Sequence, residues 1–341
     1  MGPRTPLAEL TTLHLGGPSR ALLEVADEDE LVEVVTRLDR EAEPVLIVGG
    51  GSNLVVADAG FDGTVVRIAT RGIDLRVEGS QVDVLARAGE PWDDLVSATV
   101  ADGLSGLEAL SGIPGLTGAT PIQNVGAYGQ EVADTISWLR ALDRRSGEVQ
   151  VMGAHECGFA YRSSTFRQTS RYVILAVAFR LGRTVESAPI RYAELARALG
   201  IEVGDPALSP AVRDAVLALR RSKGMVVDPT DPDTVSVGSF FTNPIVSVAQ
   251  AASLPEAAPR YPQADGALKV SAAWLIEQAG FPRGYGTGHA RISTKHTLAL
   301  TNRAGGTTDE LLELARTIRG GVLARFGIEL TPEPILVGCS L

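Results

Sequence analysis

The chain has 341 residues, of which 45% are hydrophobic and 21% charged, and its formal net charge is −10. That length allows about two or three domains and a large buried core. Forty-one acids against thirty-one bases argue against general nucleic-acid binding, which draws on clustered Lys and Arg.

Cys157 and Cys339 are too few for a disulfide framework or a Cys-rich zinc site. The histidines at 14, 155, 289 and 296 show no metal-ligand spacing, so no metal is expected. The start, MGPRTPLAEL, lacks an apolar signal core, and Pro6 breaks the myristoylation pattern. No run of about 18 strongly apolar residues suggests a membrane span. The expectation is a soluble protein of the reducing cytosol, without nucleic-acid or membrane partners.

In chain order, ALLEVAD reads as a strand. DEDELVEVVTRLDREA reads as an amphipathic helix with Leu31, Val34, Val35 and Leu38 on one face, started by Asp27 with Glu30 three residues on. PVLIVGGGSNLVV is a strand, a glycine turn and a second strand. GTVVRI, IDLRVEG and QVDVLARAG follow as short strands, and PWDDLVSATVADGL is a helix ended by Gly103. The stretch GLSGLEALSGIPGLTGATPIQNVGAYGQE is rich in glycine, with Glu108 and Glu131 its two charges. A disordered linker is usually more polar, so this reads as an ordered loop with close backbone approach.

TISWLRALDRRSGEVQVM carries an SG hairpin signal, and YVILAVAFRL is a buried strand. A helical segment, PAVRDAVLALRRSKG, leads into VVDPTDPDTVS, the best candidate domain boundary. VSAAWLIEQAGF is a helix capped by Ser271, HTLALTN marks a strand pair, and TTDELLELARTIRGGVLARFG is a long helix. In that helix Leu311, Leu314, Ala315, Ile318, Val322 and Phe326 repeat at helical spacing, and Thr307 with Glu310 makes a capping box. There is no internal repeat, and the alternation of element types predicts a mixed α/β chain of the α+β class.

Five strings bear on chemistry. In VLIVGGGSNLVV, bare N–H groups of a glycine turn suit an anion. The Rossmann register fails there, because Leu54 stands at the third glycine position and a strand follows where a helix is required. A plain hairpin reads equally well. In SGIPGLTGATPIQNVGAYG, backbone amides suit a pyrophosphate, and Gln123 and Asn124 suit a flat heterocycle; a structural corner is the bland alternative. FAYRSSTF sets Tyr161 beside Arg162, which can grip a carboxylate bidentately, though a surface arginine is the commoner case. VGSFFTNP places Ser239 before two aromatics without a nucleophile elbow, leaving proton donor or turn serine. TPEPILVG holds Glu333 between two prolines that fix the backbone, which suits a general acid as well as a solvated surface carboxylate.

In this order, with YPQADGALKVSAAWLIEQAG before the last, these strings resemble the UDP-N-acetylenolpyruvoylglucosamine reductase (MurB, UDP-N-acetylmuramate dehydrogenase) family from Thr11 to Gly338. The resemblance implies an FAD-binding fold of the vanillyl-alcohol-oxidase type plus a C-terminal substrate-binding α+β domain. Residues 1–70 and 71–220 would be two FAD-binding subdomains, and 221–341 the substrate domain, with the C-terminal segment returning to the active site. It implies an oxidoreductase with non-covalent FAD and NADPH as electron donor, acting in peptidoglycan synthesis, and a monomer. Hydride would pass from FADH2 to the enolpyruvyl alkene of UDP-N-acetylglucosamine enolpyruvate, giving UDP-N-acetylmuramate.

By the same resemblance Arg162 and Glu333 would polarise the substrate carboxylate, and Ser239 would give the proton. Gly49, Gly50, Gly51, Ser52 and Asn53 would hold the FAD pyrophosphate. Gly112, Pro114, Gly115, Gly118, Ala119, Gln123, Asn124, Gly126, Ala127 and Tyr128 would complete the cofactor site. Tyr161, Tyr192, Lys223 and Asn243 would bind substrate, with IRYAELARAL matching the insertion of the insertion-bearing (type I) members. The chain departs from the family in Ala160 before Tyr161, where Gly is commoner, and in Thr242, where many members have Lys. Lys295 and His296 occupy a variable position. Another FAD-dependent oxidoreductase of this fold, acting on a sugar or alcohol, and a non-catalytic nucleotide-binding module are the competing readings.

Overall fold

The computed structural model describes residues 5–263 and 265–341. The first elements are β1 (Ser19–Val25), α1 (Glu28–Arg40), β2 (Val45–Val48), β3 (Leu54–Val56), β4 (Phe61–Ile68), β5 (Ile73–Glu78), β6 (Gln81–Arg87) and α2 (Trp92–Ala101). The glycine-rich loop then leads to β7 (Gly126–Ala127), β8 (Gln130–Glu131), β9 (Ile136–Asp143), β10 (Glu148–Gly153), β11 (Tyr172–Gly182), α3 (Ala193–Leu199) and α4 (Ser209–Ser222). The remainder comprises β12 (Ser236–Ser239), β13 (Ile245–Val246), α5 (Val248–Ala252), β14 (Arg260–Pro262), β15 (Leu268–Val270), α6 (Ala272–Gln278), β16 (Ala290–Ile292), β17 (Ala299–Asn302), α7 (Thr308–Phe326) and β18 (Ile335–Val337).

Contacts divide the chain into two compact units. The first contains 19–50 and 62–226, and the second contains 6–18, 51–61 and 227–341. The second unit therefore gathers two segments from early in the chain. Its core packs Leu13, Leu15 and Val55 with Phe240, Phe241, Leu275 and the α7 residues Leu311, Ala315, Ile318 and Val322. The switch at Val226 lies at the start of the Pro/Asp-rich run, where proline and local Asp–backbone bonds favour a turn; Asp231 Oδ1 accepts from the Asp233 N–H at 3.0 Å.

The first unit is built on a five-stranded antiparallel sheet, β10-β9-β11-β6-β5, with a three-stranded sheet, β1-β4-β2, in which β2 and β4 run parallel. Its principal core sets Trp92, Leu95 and Val96 of α2 against Val84, Val177 and Phe179. The Trp92 and Phe179 rings lie 5.7 Å apart. Helix α1 starts where Asp27 accepts from the Glu30 N–H at 2.9 Å, an N-cap that satisfies one otherwise orphaned donor. It buries Leu31, Val35 and Leu38, while Val34 is only partly buried. Ser271 caps α6, and the Thr307–Glu310 capping box starts α7, whose end at Gly327 is left-handed at φ +64°. A strand does follow the Gly49–Gly51 turn, which excludes the Rossmann arrangement.

Candidate functional site

In the first unit the two glycine-rich loops meet. A Cβ on Gly50 would sit 2.8 Å from the Gly115 Cα, and one on Gly49 would lie 3.5 Å from the Leu116 Cδ1. Gly50 and Gly115 therefore meet backbone to backbone, with no side chain between them. The first turn of α2 anchors the second loop. The Trp92 N–H donates to Gly115 O at 3.0 Å, the indole N–H donates to Leu110 O at 3.0 Å, and Asp93 accepts from the Gly112 N–H at 2.5 Å. Arg213 of α4 grips Asp93 through two nitrogens at 2.7 and 2.9 Å. Burial works against ionisation of Asp93, but the Arg213 guanidinium and the Gly112 N–H outweigh it and hold the carboxyl below its usual range.

Further along, Thr117 and Gly118 donate to Glu90 O and Ala88 O at 2.8 and 2.9 Å. A Cβ on Gly118 would come within 2.5 Å of the Ala88 Cβ, so the loop, including Ala119, is pressed onto the end of β6. Glu108, one of its two acids, is buried and accepts from the Gly106 and Leu107 N–H groups at 2.6 and 3.0 Å. Pro114 and Gln123 lie in this loop, partly buried. Asn124 ties this loop to its surroundings. Its amide nitrogen donates to Glu131 at 2.7 Å and to Ala160 O at 3.1 Å, and its oxygen accepts from the Ala133 N–H at 3.1 Å. Through these bonds its side chain braces the loop.

Arg162 belongs to the same cluster. Its Nη2 donates to Gly126 O at 2.6 Å, its Nη1 lies 3.9 Å from Glu131, and its guanidinium stands 5.3 Å from the Tyr161 ring centre. Asn124, Tyr128 and Arg162 have φ of +47°, +51° and +50°. Such conformations cost about 1–3 kcal/mol each for ordinary residues and persist where the surroundings impose them. At Tyr128 the cause is local: with Gly129 at φ +84° it makes the tight turn between β7 and β8.

Tyr128, Tyr192 and Lys223 form a second group. The two tyrosine rings meet edge to face at 5.5 Å. Lys223 Nζ lies 5.6 Å from the Tyr128 ring centre and 2.5 Å from Glu194. Tyr192 precedes α3 and is 43% exposed, which leaves it surface to offer a ligand. Burial pushes the Tyr128 phenol up to about 12 and pushes Arg220, beside it, down to about 10. At neutral pH the phenol is thus neutral and the guanidinium charged. Asp93 and Arg213 carried no motif signal, since they lie 120 positions apart, and Arg220 and Glu131 belong to no chemical string.

In the second unit, Gly51 has φ +62°, and a Cβ there would stand 1.7 Å from Leu10 O; only glycine fits. Ser52 and Asn53 follow it, and Asn53 O accepts from the Ile335 N–H at 2.9 Å. Ser239 closes β12, where a register shift against β17 and Gly238 at φ +73° set how the chain leaves the sheet. The next residues pair with the C-terminal segment. Phe240 O accepts from the Glu333 N–H at 2.8 Å, and Thr331 O accepts from the Thr242 N–H at 3.0 Å. Ser239 and Glu333, 94 positions apart in sequence, are thereby brought onto adjacent backbone. Asn243 Oδ1 accepts from the Ala272 N–H at 2.9 Å and so steadies the start of α6. Lys295 is paired with Asp231 at 2.6 Å.

Among the described residues no His/Cys/Asp/Glu group could hold a metal, and no helix is long and apolar enough to cross a membrane. A family profile described as "FAD binding domain" matches residues 19–153. Another, "UDP-N-acetylenolpyruvoylglucosamine reductase, C-terminal domain", matches residues 229–337. Proteins named UDP-N-acetylenolpyruvoylglucosamine reductase are similar over nearly the full length. One from Thermobifida fusca is 55% identical, covering 98% of both chains. One from Saccharopolyspora erythraea is 53% identical, covering 98% of this chain and 95% of its own. The crystal structure of UDP-N-acetylenolpyruvylglucosamine reductase from Thermus caldophilus superposes with a TM-score of 0.68 at 25% identity, covering 98% of each chain.

Proposed function

The chain belongs to the UDP-N-acetylenolpyruvoylglucosamine reductase family, and on that premise we propose how its own residues carry the reaction. It is an FAD-dependent oxidoreductase that reduces the enolpyruvyl ether of UDP-N-acetylglucosamine enolpyruvate to the lactyl ether of UDP-N-acetylmuramate, a step of peptidoglycan synthesis. NADPH supplies the electrons, and the reaction takes place in the cytoplasm. Residues 1–70 and 71–220 hold the cofactor and 221–341 the sugar nucleotide, with α3 and Tyr192 marking the insertion-bearing type.

The approach of Gly50 to Gly115 at 2.8 Å is the observation that best supports this reading. FAD carries a pyrophosphate between two flat ring systems, and paired loops without side chains suit it. Gly49, Gly50, Gly51, Ser52 and Asn53 hold the pyrophosphate, and the loop from Gly112 to Tyr128 covers the cofactor. A Cβ added at Gly50 would press on the Gly115 Cα at 2.8 Å and crowd the cradle. No His or Cys lies in either loop, so the cofactor is held without a covalent bond. When bound, FAD supplies the hydride that adds to the terminal alkene carbon.

The remaining chemistry belongs to side chains. An enol ether resists hydride until its attached carboxylate is polarised, so that charge can spread onto the carboxylate oxygens. Arg162, a permanent cation with a two-pronged donor, grips that carboxylate, and Glu333, fixed between Pro332 and Pro334, donates a hydrogen bond to it as the acid. Arg162 is already oriented by Gly126 O and Tyr161, so little reorganisation is needed as charge develops. The carbon beside the carboxylate then takes a proton from Ser239 Oγ. A serine hydroxyl is a weak acid, but an enolate-like intermediate is a strong base. Tyr161, Tyr192, Lys223 and Asn243 bind the UDP-sugar.

Separating the half-reactions tests the assignment. Ser239→Ala should leave flavin bleaching by NADPH near the wild-type rate and slow reoxidation by substrate about 10²–10⁴-fold, the usual worth of a general acid. Equal slowing of both halves would remove Ser239 from the proton transfer.

A further inference from the structure

The five-stranded sheet of the first unit ends at β5, which has β6 on one side and, among the described residues, no strand on the other. Its register with β6 pairs Ile73 with Ala86, Leu75 with Val84 and Val77 with Val82. Val82, Val84 and Ala86 are buried, so Ile73, Leu75 and Val77 continue the apolar face of the sheet beyond its cover; they are 38%, 51% and 59% exposed. The opposite face carries Asp74, Arg76 and Glu78.

Hydrogen-bond parity fixes which groups are left over. The Arg87 N–H donates to Gly72 O at 3.0 Å, so Gly72 and Arg87 form a hydrogen-bonded pair. In an antiparallel ladder such pairs alternate, and Asp74, Arg76 and Glu78 therefore turn their backbone groups toward β6. The N–H and C=O groups of Ile73, Leu75 and Val77 point outward, along the open edge.

From this we infer that β5 is a dimer edge: two copies of the chain pair antiparallel about a two-fold axis at Leu75, joining their sheets into one. In that register Leu75 faces Leu75 of the partner subunit and exchanges both main-chain hydrogen bonds with it. Ile73 faces Val77 of the partner subunit, again through outward-pointing groups. Asp74 faces Arg76 of the partner subunit, and Arg76 faces Asp74 of the partner subunit. The same axis thus satisfies the backbone, continues the apolar stripe and alternates the charges.

Edge strands in soluble proteins are usually blunted by lysine, proline or a bulge. β5 has no lysine, proline or bulge, and its charges, Asp74, Arg76 and Glu78, alternate in sign along one face. The opposite edge, β10, carries one acid, Glu148, and no base, so self-pairing there has no charge complement. A single strand pair is a small interface, and the association is concentration-dependent. The family resemblance implies a monomer, whereas this edge predicts a monomer–dimer equilibrium.

Sedimentation equilibrium over a concentration series tests this with the FAD-loaded protein. The wild-type mass should climb toward twice that of the chain. Leu75→Pro removes an outward N–H without touching the β6 ladder and should stay at the single-chain mass. Arg76→Asp and Asp74→Arg each set like charges opposite one another and should raise the dimer dissociation constant about ten-fold or more. Combining the two restores opposite charges and should restore the dimer. Hydrogen exchange at the Ile73, Leu75 and Val77 amides should slow as concentration rises, whereas the Asp74 and Arg76 amides stay protected throughout. A single-chain mass for the wild type at every concentration overturns the inference. So does a dimer that survives Leu75→Pro, or a double variant no better than its parents.

Discussion

At the level of single residues, the proposed chemistry rests on groups that need help from the backbone to act. Glu333 is an ordinary carboxylic acid made unusual by its setting: its own N–H is tied to Phe240 O, and Pro332 and Pro334 fix the chain on both sides. A carboxyl held this firmly can meet charge that exists only in the transition state. Glu333→Gln keeps the size and loses the acid. It should cost about 2.7–4 kcal/mol, or about 10²–10³ in the rate of flavin reoxidation, with flavin reduction by NADPH little changed. Reoxidation at the wild-type rate would take Glu333 out of the mechanism. Arg162 and Ser239 became candidates through the ordered set of strings that resembles the family, since each string alone reads as well as a surface arginine or a turn serine. Their partners were not legible. Asn124 reads in sequence as a ligand for a heterocycle, and its side chain also bonds Glu131, Ala160 and Ala133, which no local spacing announces.

At the scale of elements, short-range signals read well. Asp27 before α1, Ser271 before α6 and the Thr307–Glu310 box before α7 each make the predicted capping bond, because a cap is settled within four residues of chain. The glycine-rich loop was legible as ordered, since its low charge does not suit a linker. What holds it was not legible: Arg213 reaches Asp93 from 120 positions away. Two outcomes follow from this loop. Gly50→Ala would set a Cβ 2.8 Å from the Gly115 Cα, so the loops must part; the purified variant should carry markedly less FAD per chain, read from the ratio of flavin to protein absorbance. Full occupancy would show that the two loops do not share the cofactor.

The second outcome concerns pH. Against burial, the Arg213 guanidinium and the Gly112 N–H hold the Asp93 carboxyl below its ordinary value of 3.8 in the folded chain. Its contribution is therefore complete above 3.8 and is lost as pH falls through the lower folded value. Asp93→Asn should flatten this acid limb of the stability curve in urea titrations between neutral pH and the acid range. An unchanged acid limb would mean that the Arg213–Asp93–Gly112 brace adds nothing to stability.

At the scale of the whole molecule, the Pro/Asp-rich run marks where the two compact units change over, but the run alone does not tell that residues 6–18 and 51–61 belong with the C-terminal part. That membership depends on Leu13, Leu15 and Val55 entering a core whose other members lie more than 150 positions later, and on β3 pairing in parallel with β18. Such long-range partners leave no periodicity to read. The family resemblance bridged that gap for function, because ordered strings spread over both units identify one reaction even where the packing that joins them is not visible. On the proposed reading, one chain binds flavin, takes electrons from NADPH and passes them to the enolpyruvyl alkene. Anaerobic absorbance on the purified protein tests it in sequence: a yellow protein should bleach with NADPH and regain its colour on adding UDP-N-acetylglucosamine enolpyruvate, with UDP-N-acetylmuramate formed in equal amount. A colourless protein, or a bleached one that stays bleached with that substrate, would contradict the account.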